Sequence, residues 1–146
     1  MHYRTMLDTD YDAIYALWMS SKNMGFNNLD DSREGIARFL RRNPTTNFVA
    51  LEGERLAGVV LAGQDGRRGH VYHMAVAEDF RRRGVGTALL NRCLDALKAE
   101  GINKVALLVF KYNDAGNAFW AKQGFVVRED VAYRNKELTK LIRIDT

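Results

Sequence analysis

Apolar positions recur at two different periods along the chain, and the points where the period changes mark its elements. Residues 10–21 carry Ile14, Leu17 and Trp18 at helical spacing, after Thr9, a residue suited to cap a helix. A polar stretch, 22–30, precedes a second helix over 32–42, with Asp31 and Glu34 spaced as a capping box permits and Asn43-Pro44 as its stop. The period then shortens. Apolar runs at 47–51, 56–62 and 70–76, joined by turns at 52–55 and 63–69, predict a strand meander with antiparallel neighbours. Leu89, Leu90, Cys93, Leu94 and Leu97 return to helical spacing, with Arg92, Asp95, Lys98 and Glu100 opposite them and Gly101 as the stop. That helix is a crossover to an apolar strand at 104–110, which makes the sheet mixed. A short helix at 113–123 ends at Gly124, and 125–130 with 138–144 predict a closing hairpin. With a first strand near 2–6, the fold class is α/β, a mixed and mostly antiparallel sheet in the order β-α-α-β-β-β-α-β-α-β-β.

The junction between the strand at 70–76 and the long amphipathic helix reads Arg81-Arg82-Arg83-Gly84-Val85-Gly86. The first turn of a helix has N–H groups without intrahelical partners and carries the positive end of the helix dipole. Glycines let a bulky anion approach that backbone, and arginines can fork onto phosphate oxygens. A pyrophosphate suits such a site. A nucleotide P-loop does not match, because the Gly-Lys-Ser/Thr that holds phosphate and magnesium is absent.

Length narrows the picture: 146 residues fit one domain, 1–146, with a core of useful size. No repeat or low-complexity segment interrupts it. The N-terminus leads into no continuous apolar run, so neither a signal peptide nor a membrane span is read and a cytoplasmic protein is expected. Net charge is +4, concentrated in Arg41-Arg42, Arg67-Arg68 and Arg81 to Arg83. Such local clusters suit a small polyanion rather than a nucleic acid. The single cysteine, Cys93, excludes an internal disulfide and sits on an apolar helix stripe, where a small hydrophobe belongs.

The order of elements, with Arg81-x-x-Gly84-x-Gly86 after the fourth strand and Asn113 followed by Trp120-x-Lys122-x-Gly124-Phe125, resembles the GNAT superfamily of acyl-CoA-dependent N-acetyltransferases. The resemblance covers nearly the whole chain and implies a sheet splayed between its fourth and fifth strands. It implies acetyl-CoA as co-substrate, no metal, and a primary amine of a small molecule or peptide as acceptor. By position, the backbone of Met74, Ala75 and Val76 would pair with the pantetheine arm. Arg81, Arg82, Arg83, Gly84, Val85, Gly86 and Thr87 would wrap the pyrophosphate. Asn113 would hold the pantetheine end, and Phe119, Trp120 and Lys122 would lie along the cofactor.

In the implied reaction a neutral amine attacks the thioester directly, so the protein must supply a base rather than a nucleophile. Many relatives carry a tyrosine where this chain has Trp120, and some a glutamate where it has Leu108. Candidates for the base are therefore His73 and Tyr72, adjacent on the fourth strand and expected on opposite faces, and Asp65, whose setting before Gly66 also suits a plain turn residue. The irregular stretch 22–31, with the sheet end near Tyr112 and Tyr133, would form the acceptor site. There Asn27, Asn28, Asp30 and Asp31 can attract a cationic amine or simply make a polar loop. A CoA-ester sensor without catalysis is the alternative to an enzyme. Edge strands with exposed Tyr112 and Tyr133 permit a homodimer.

Overall fold

The computed structural model describes residues 1–145. Five strands, β1 (His2–Thr5), β2 (Phe48–Glu52), β3 (Arg55–Gln64), β4 (Gly69–Val76) and β5 (Val105–Leu107), form one sheet in the order β1-β2-β3-β4-β5. The first four are antiparallel, and β5 joins β4 in parallel after the crossover. Helices α1 (Tyr11–Ser20) and α2 (Arg33–Arg42) cover one face. Helix α3 (Val85–Ala99) covers the other, and α4 (Asp114–Lys122) follows β5. The α/β architecture and mixed sheet expected from the apolar pattern are both present.

The sheet buries apolar side chains on both faces, which explains the unbroken apolar run in β3. Val60, Ala62 and Val71 pack against Leu89, Leu90, Cys93 and Leu97 of α3. Val49, Val59, Leu61 and Ala75 pack against Ile14, Leu17 and Trp18 of α1 and Ile36 of α2. The end of β3 is pinned by buried amide and hydroxyl groups: Ala62 N–H donates to Asn47 Oδ1, and Thr46 Oγ1 donates to the Ala62 carbonyl. These bonds satisfy backbone groups at an irregular step of the ladder.

That step is a bulge, and it reshapes the site. Leu61 pairs with His73 and Ala62 with Val71, leaving Tyr72 as an extra residue in β4. Strict alternation would send Tyr72 and His73 to opposite faces; the bulge brings both to the α1/α2 face. The Tyr72 ring lies 5.5 Å from Phe39 of α2, and the His73 ring 5.3 Å from Trp18 of α1.

Other differences are local. Strand β5 is three residues long rather than seven, and pairs with β4 only from Gly69 to Val71. No closing hairpin forms: residues 125–145 contain no strand, and the chain end returns to the loop at 25–28 through an isolated bridge from Arg143 to Asn27 and backbone bonds at Ile142 and Ile144. Gly124 (φ 89°) turns the chain out of α4. Beyond it, a three-residue β5 offers little edge to pair with, and the charged stretch 128–137 stays in solvent. At α2 the cap is Ser32, whose Oγ accepts the Gly35 N–H at 3.0 Å, rather than Asp31. Thr9 lies in a 3-10 turn (Asp8–Asp10) ahead of α1 and makes no cap bond. No described helix is long and apolar enough to cross a membrane.

Candidate active site

Beyond Val71 the outer edge of β4 has no strand beside it, so the sheet is splayed where Met74, Ala75 and Val76 lie. Ala77 N–H donates to the Ala57 carbonyl at 2.8 Å. Antiparallel alternation therefore aims the N–H and C=O groups of Val76 and Met74 away from β3, into the opening. Only one of these four groups has a partner among the described residues: Arg81 Nε donates to the Val76 carbonyl at 3.1 Å.

The open edge runs into the N-terminus of α3. Gly84 is its N-cap at φ 78°, a left-handed conformation that glycine takes without a Cβ penalty, and it supplies no capping side chain. The first turn holds no acidic residue. Among the described residues, none of the N–H groups from Arg82 to Thr87 finds an intramolecular acceptor, whereas Ala88 N–H donates to the Gly84 carbonyl. Six donors in sequence, at the positive end of a helix, form an anion cradle. Arg82 and Arg83 are exposed beside it, and Arg83 lies over the Phe80 ring at 5.4 Å.

The cradle is walled by α4. A Cβ at Gly86 would touch Phe119 and the Met74 methyl at 3.5 and 3.6 Å, so Gly86, Phe119 and Met74 converge. Trp120 packs edge-on against Phe119 and Phe125, and Lys122 is exposed. Asn113 caps α4, its Oδ1 accepting the Gly116 N–H at 2.9 Å.

On the α1/α2 face a cleft of about 950 Å³ opens beside the bulge, and both Tyr72 and His73 line it. His73 Nε2 lies 2.7 Å from Asp31 Oδ1, and Asp31 Oδ2 accepts the Asn27 N–H. Asp31 is buried, and Phe26 and Trp18 flank the imidazole. His73 Nδ1 is buried without a partner. In the tautomer with its proton on Nε2, His73 donates to Asp31 and the Nδ1 lone pair is uncommitted. The Tyr72 phenol is pushed above its ordinary value by burial and then by Tyr133, Asp30 and Asp65. It is therefore neutral at physiological pH and acts as a donor.

Asp65 stands apart from this cleft. Its Oδ1 accepts the N–H groups of Arg67 and Arg68, which hold its carboxyl below the usual range, and it occupies an exposed turn. Leu108 is 55% exposed just past β5 and Tyr112 stacks on Phe110, while Tyr133 borders an adjoining groove. Among the described residues no group of three or more His, Cys, Asp or Glu is arranged to hold a metal.

Sequence reasoning missed the Asp31–His73 contact and the cleft wall formed by Arg38, Phe39, Arg41 and Arg42 of α2. The i, i+3, i+4 spacing of those arginines was the available signal. The acidic loop also differs from expectation. Asp30 accepts from Asn27 Nδ2, and Asp31 is committed to His73, so neither carboxylate is unpartnered.

The model of the Acetyltransferase (GNAT) family matches residues 11–125, most of the chain. This protein belongs to that family. An acetyltransferase of Pectobacterium atrosepticum is 34% identical over 115 residues, covering 79% of this chain and 80% of that one. Among solved structures, Ard1 from Thermoplasma volcanium superposes with TM-score 0.77 at 24% identity, over 87% of this chain and 83% of its own. PaiA N-acetyltransferase from Thermoplasma acidophilum, in complex with coenzyme A, superposes with TM-score 0.74 at 16% identity, over 89% and 92%. The GNAT protein described here is thus an acetyltransferase whose splayed sheet and α3 N-terminus are features of its own fold.

Proposed function

We propose that this GNAT protein transfers the acetyl group of acetyl-CoA to a primary amine bound in the cleft at Tyr72 and His73. The observation that carries the reading is the continuity between the unpaired β4 edge at Met74–Val76 and the free N–H groups of Arg82 to Thr87. A long ligand with amides at one end and a pyrophosphate at the other fits that track. The amides meet the groups of Met74 and Val76, and Ala75 spaces them; the pyrophosphate meets the cradle and the charges of Arg81, Arg82 and Arg83. Gly84, Val85, Gly86 and Thr87 contribute backbone donors. Asn113, Phe119, Trp120 and Lys122 border the same track from α4.

Acetyl-CoA supplies the activated acetyl as a thioester. His73 accepts one proton from the ammonium of the acceptor, and Asp31 holds its ring. The amine nitrogen then forms a bond to the acetyl carbon, the C–S bond breaks, and the departing sulfur and the amide nitrogen exchange the remaining proton with solvent. A free N–H on the β4 edge near Val76 stabilises charge on the carbonyl oxygen, an effect often worth about 3 kcal/mol. Trp120 cannot titrate, so the sulfur is protonated by water or by a donor such as Tyr72.

Titration with coenzyme A tests the first half: the protein melts at higher temperature as the ligand is added, and absence of binding by any CoA ester overturns the reading. Release of free thiol with an amine panel tests the second. Stabilisation by acetyl-CoA with no turnover across the panel would assign a CoA-ester sensor instead.

A further inference from the structure

The charge that the acceptor cleft presents is opposite to what its acidic loop suggests. Both carboxylates on its lining are engaged, Asp31 with His73 and with the Asn27 N–H, Asp30 with Asn27 Nδ2. The same lining holds Arg38, Arg41 and Arg42. Among the described residues none of these three side chains makes an ion pair or a hydrogen bond, and all three are exposed. Their i, i+3, i+4 spacing gathers them on one side of α2, and they line the cleft together with Phe39, whose ring meets that of Tyr72. Arg41 and Arg42 lie in the last turn, where cations suit the helix dipole; Arg38 lies outside that turn and lines the same wall.

We infer that the acceptor is an amine that also carries a carboxylate or a phosphate, held through that anion by Arg38, Arg41 and Arg42 while its nitrogen is presented to His73. The inference rests on the acetyl-transfer reading above and names the substrate class of the same site. Guanidinium groups grip planar or tetrahedral oxyanions through paired N–H donors, so they orient the acceptor as well as attract it. A purely cationic amine leaves the three guanidinium groups of this wall without an anion to pair with. An amino carboxylate or amino phosphate supplies an anion for the guanidinium groups and a nitrogen for His73.

The experiment measures thiol release from acetyl-CoA with matched acceptors: amino acids against their carboxamides, and phosphoethanolamine against ethanolamine. The two pairs distinguish carboxylate from phosphate. The anionic member of at least one pair is expected to show kcat/KM higher by about tenfold, the worth of one charge-assisted hydrogen bond. In Arg38→Gln, and in the triple variant with Arg41→Gln and Arg42→Gln, that preference ratio falls toward one. Lys98→Gln, on the far helix, leaves the ratio intact. Circular dichroism and coenzyme A binding confirm that each variant is folded. Equal turnover of charged and uncharged members, or a ratio that survives the arginine substitutions, overturns the inference and leaves acetyl transfer standing. No thiol release with any amine overturns the acetyl-transfer reading, and the inference with it.

Discussion

Asp31 Oδ1 and His73 Nε2 lie 2.7 Å apart although 42 residues separate them in the chain. The contact joins the loop before α2 to the strand at the splay. Asp31 also accepts the Asn27 N–H, while its own backbone carbonyl accepts the Tyr11 hydroxyl. One buried residue therefore ties the loop, α1 and β4 together. A carboxylate acceptor at Nε2 favours the tautomer of His73 that carries its proton there.

Asp31→Asn keeps the shape of this contact but replaces a pure acceptor by a group that can present N–H to Nε2. The imidazole then favours the other tautomer, with its proton on Nδ1, where the lone pair is needed. The expected result is a fall in kcat of about a hundredfold or more, by analogy with asparagine substitution in a histidine-orienting carboxylate, while coenzyme A affinity stays within about twofold. Steady-state kinetics with a coenzyme A titration separates the two. An unchanged kcat in the variant would assign Asp31 a purely structural role.

Gly35 in the first turn of α2 has no room for a side chain: a Cβ there would run into the carbonyls of Leu29 and Asp30. Those carbonyls belong to the loop that carries Asp31. Gly35→Ala is expected to lower stability by about 1–3 kcal/mol and to reduce kcat by moving the Asp31–His73 pair. Chemical denaturation and kinetics check this, and a wild-type midpoint would show that the loop yields freely.

Much of the cofactor side is legible from local pattern. The glycines and arginines from Arg81 to Gly86 and the apolar stripe of α3 are contiguous in sequence, so their chemistry follows from helix geometry alone. The acceptor side is built from long-range pairings. No periodicity announces the Tyr72 bulge, which depends on how β3 and β4 meet and on Asn47 and Thr46 satisfying the Ala62 backbone. That single extra residue turns two rings expected on opposite faces into neighbours. The missing hairpin has a similar cause, since pairing at 125–144 depends on the length of β5 and not on the alternation within the segment itself.

Replacing Arg82 and Arg83 together by alanine removes two exposed charges beside the anion cradle while leaving its backbone donors. Coenzyme A binding is expected to weaken by about tenfold or more, with a shallower dependence on salt. Dephospho-coenzyme A, which keeps the pyrophosphate, should lose as much. Affinity unchanged by the substitution would place the phosphate elsewhere.

The C-terminal stretch is held by a carboxylate. Asp145 accepts the N–H groups of Gly25 and Phe26 at 2.9 and 2.7 Å, and Ile142 and Ile144 exchange backbone bonds with the same loop. Burial alone would raise the Asp145 carboxyl, but the Gly25 N–H, the Arg143 guanidinium and the Phe26 N–H outweigh it and hold it below the usual range. Because the folded value is depressed, its stabilisation is present above the unfolded value of about 4 and is lost as pH falls through the folded value. Protection of the amides at 25–28, relative to their intrinsic exchange rates, should therefore fall below about pH 4, and Asp145→Asn should show the lower protection already at neutral pH. Equal protection in variant and wild type would show that the backbone bonds alone hold the segment.

Cys93 decides between direct transfer and an acetyl-cysteine route. It is fully buried between α3 and the sheet, and burial pushes its thiol up to about 12. Attack on a thioester requires the thiolate, which a site of this kind suppresses at any pH the enzyme meets. The native protein should therefore resist thiol reagents at pH 8 and react at one site only after unfolding. Cys93→Ala should lose about 1–2 kcal/mol of stability, from packing, and retain acetyl transfer. Rapid-quench kinetics provide the sharper test: with direct attack no acetyl group appears on the protein before product forms, and an acetylated Cys93 trapped in the first turnover would require a different mechanism.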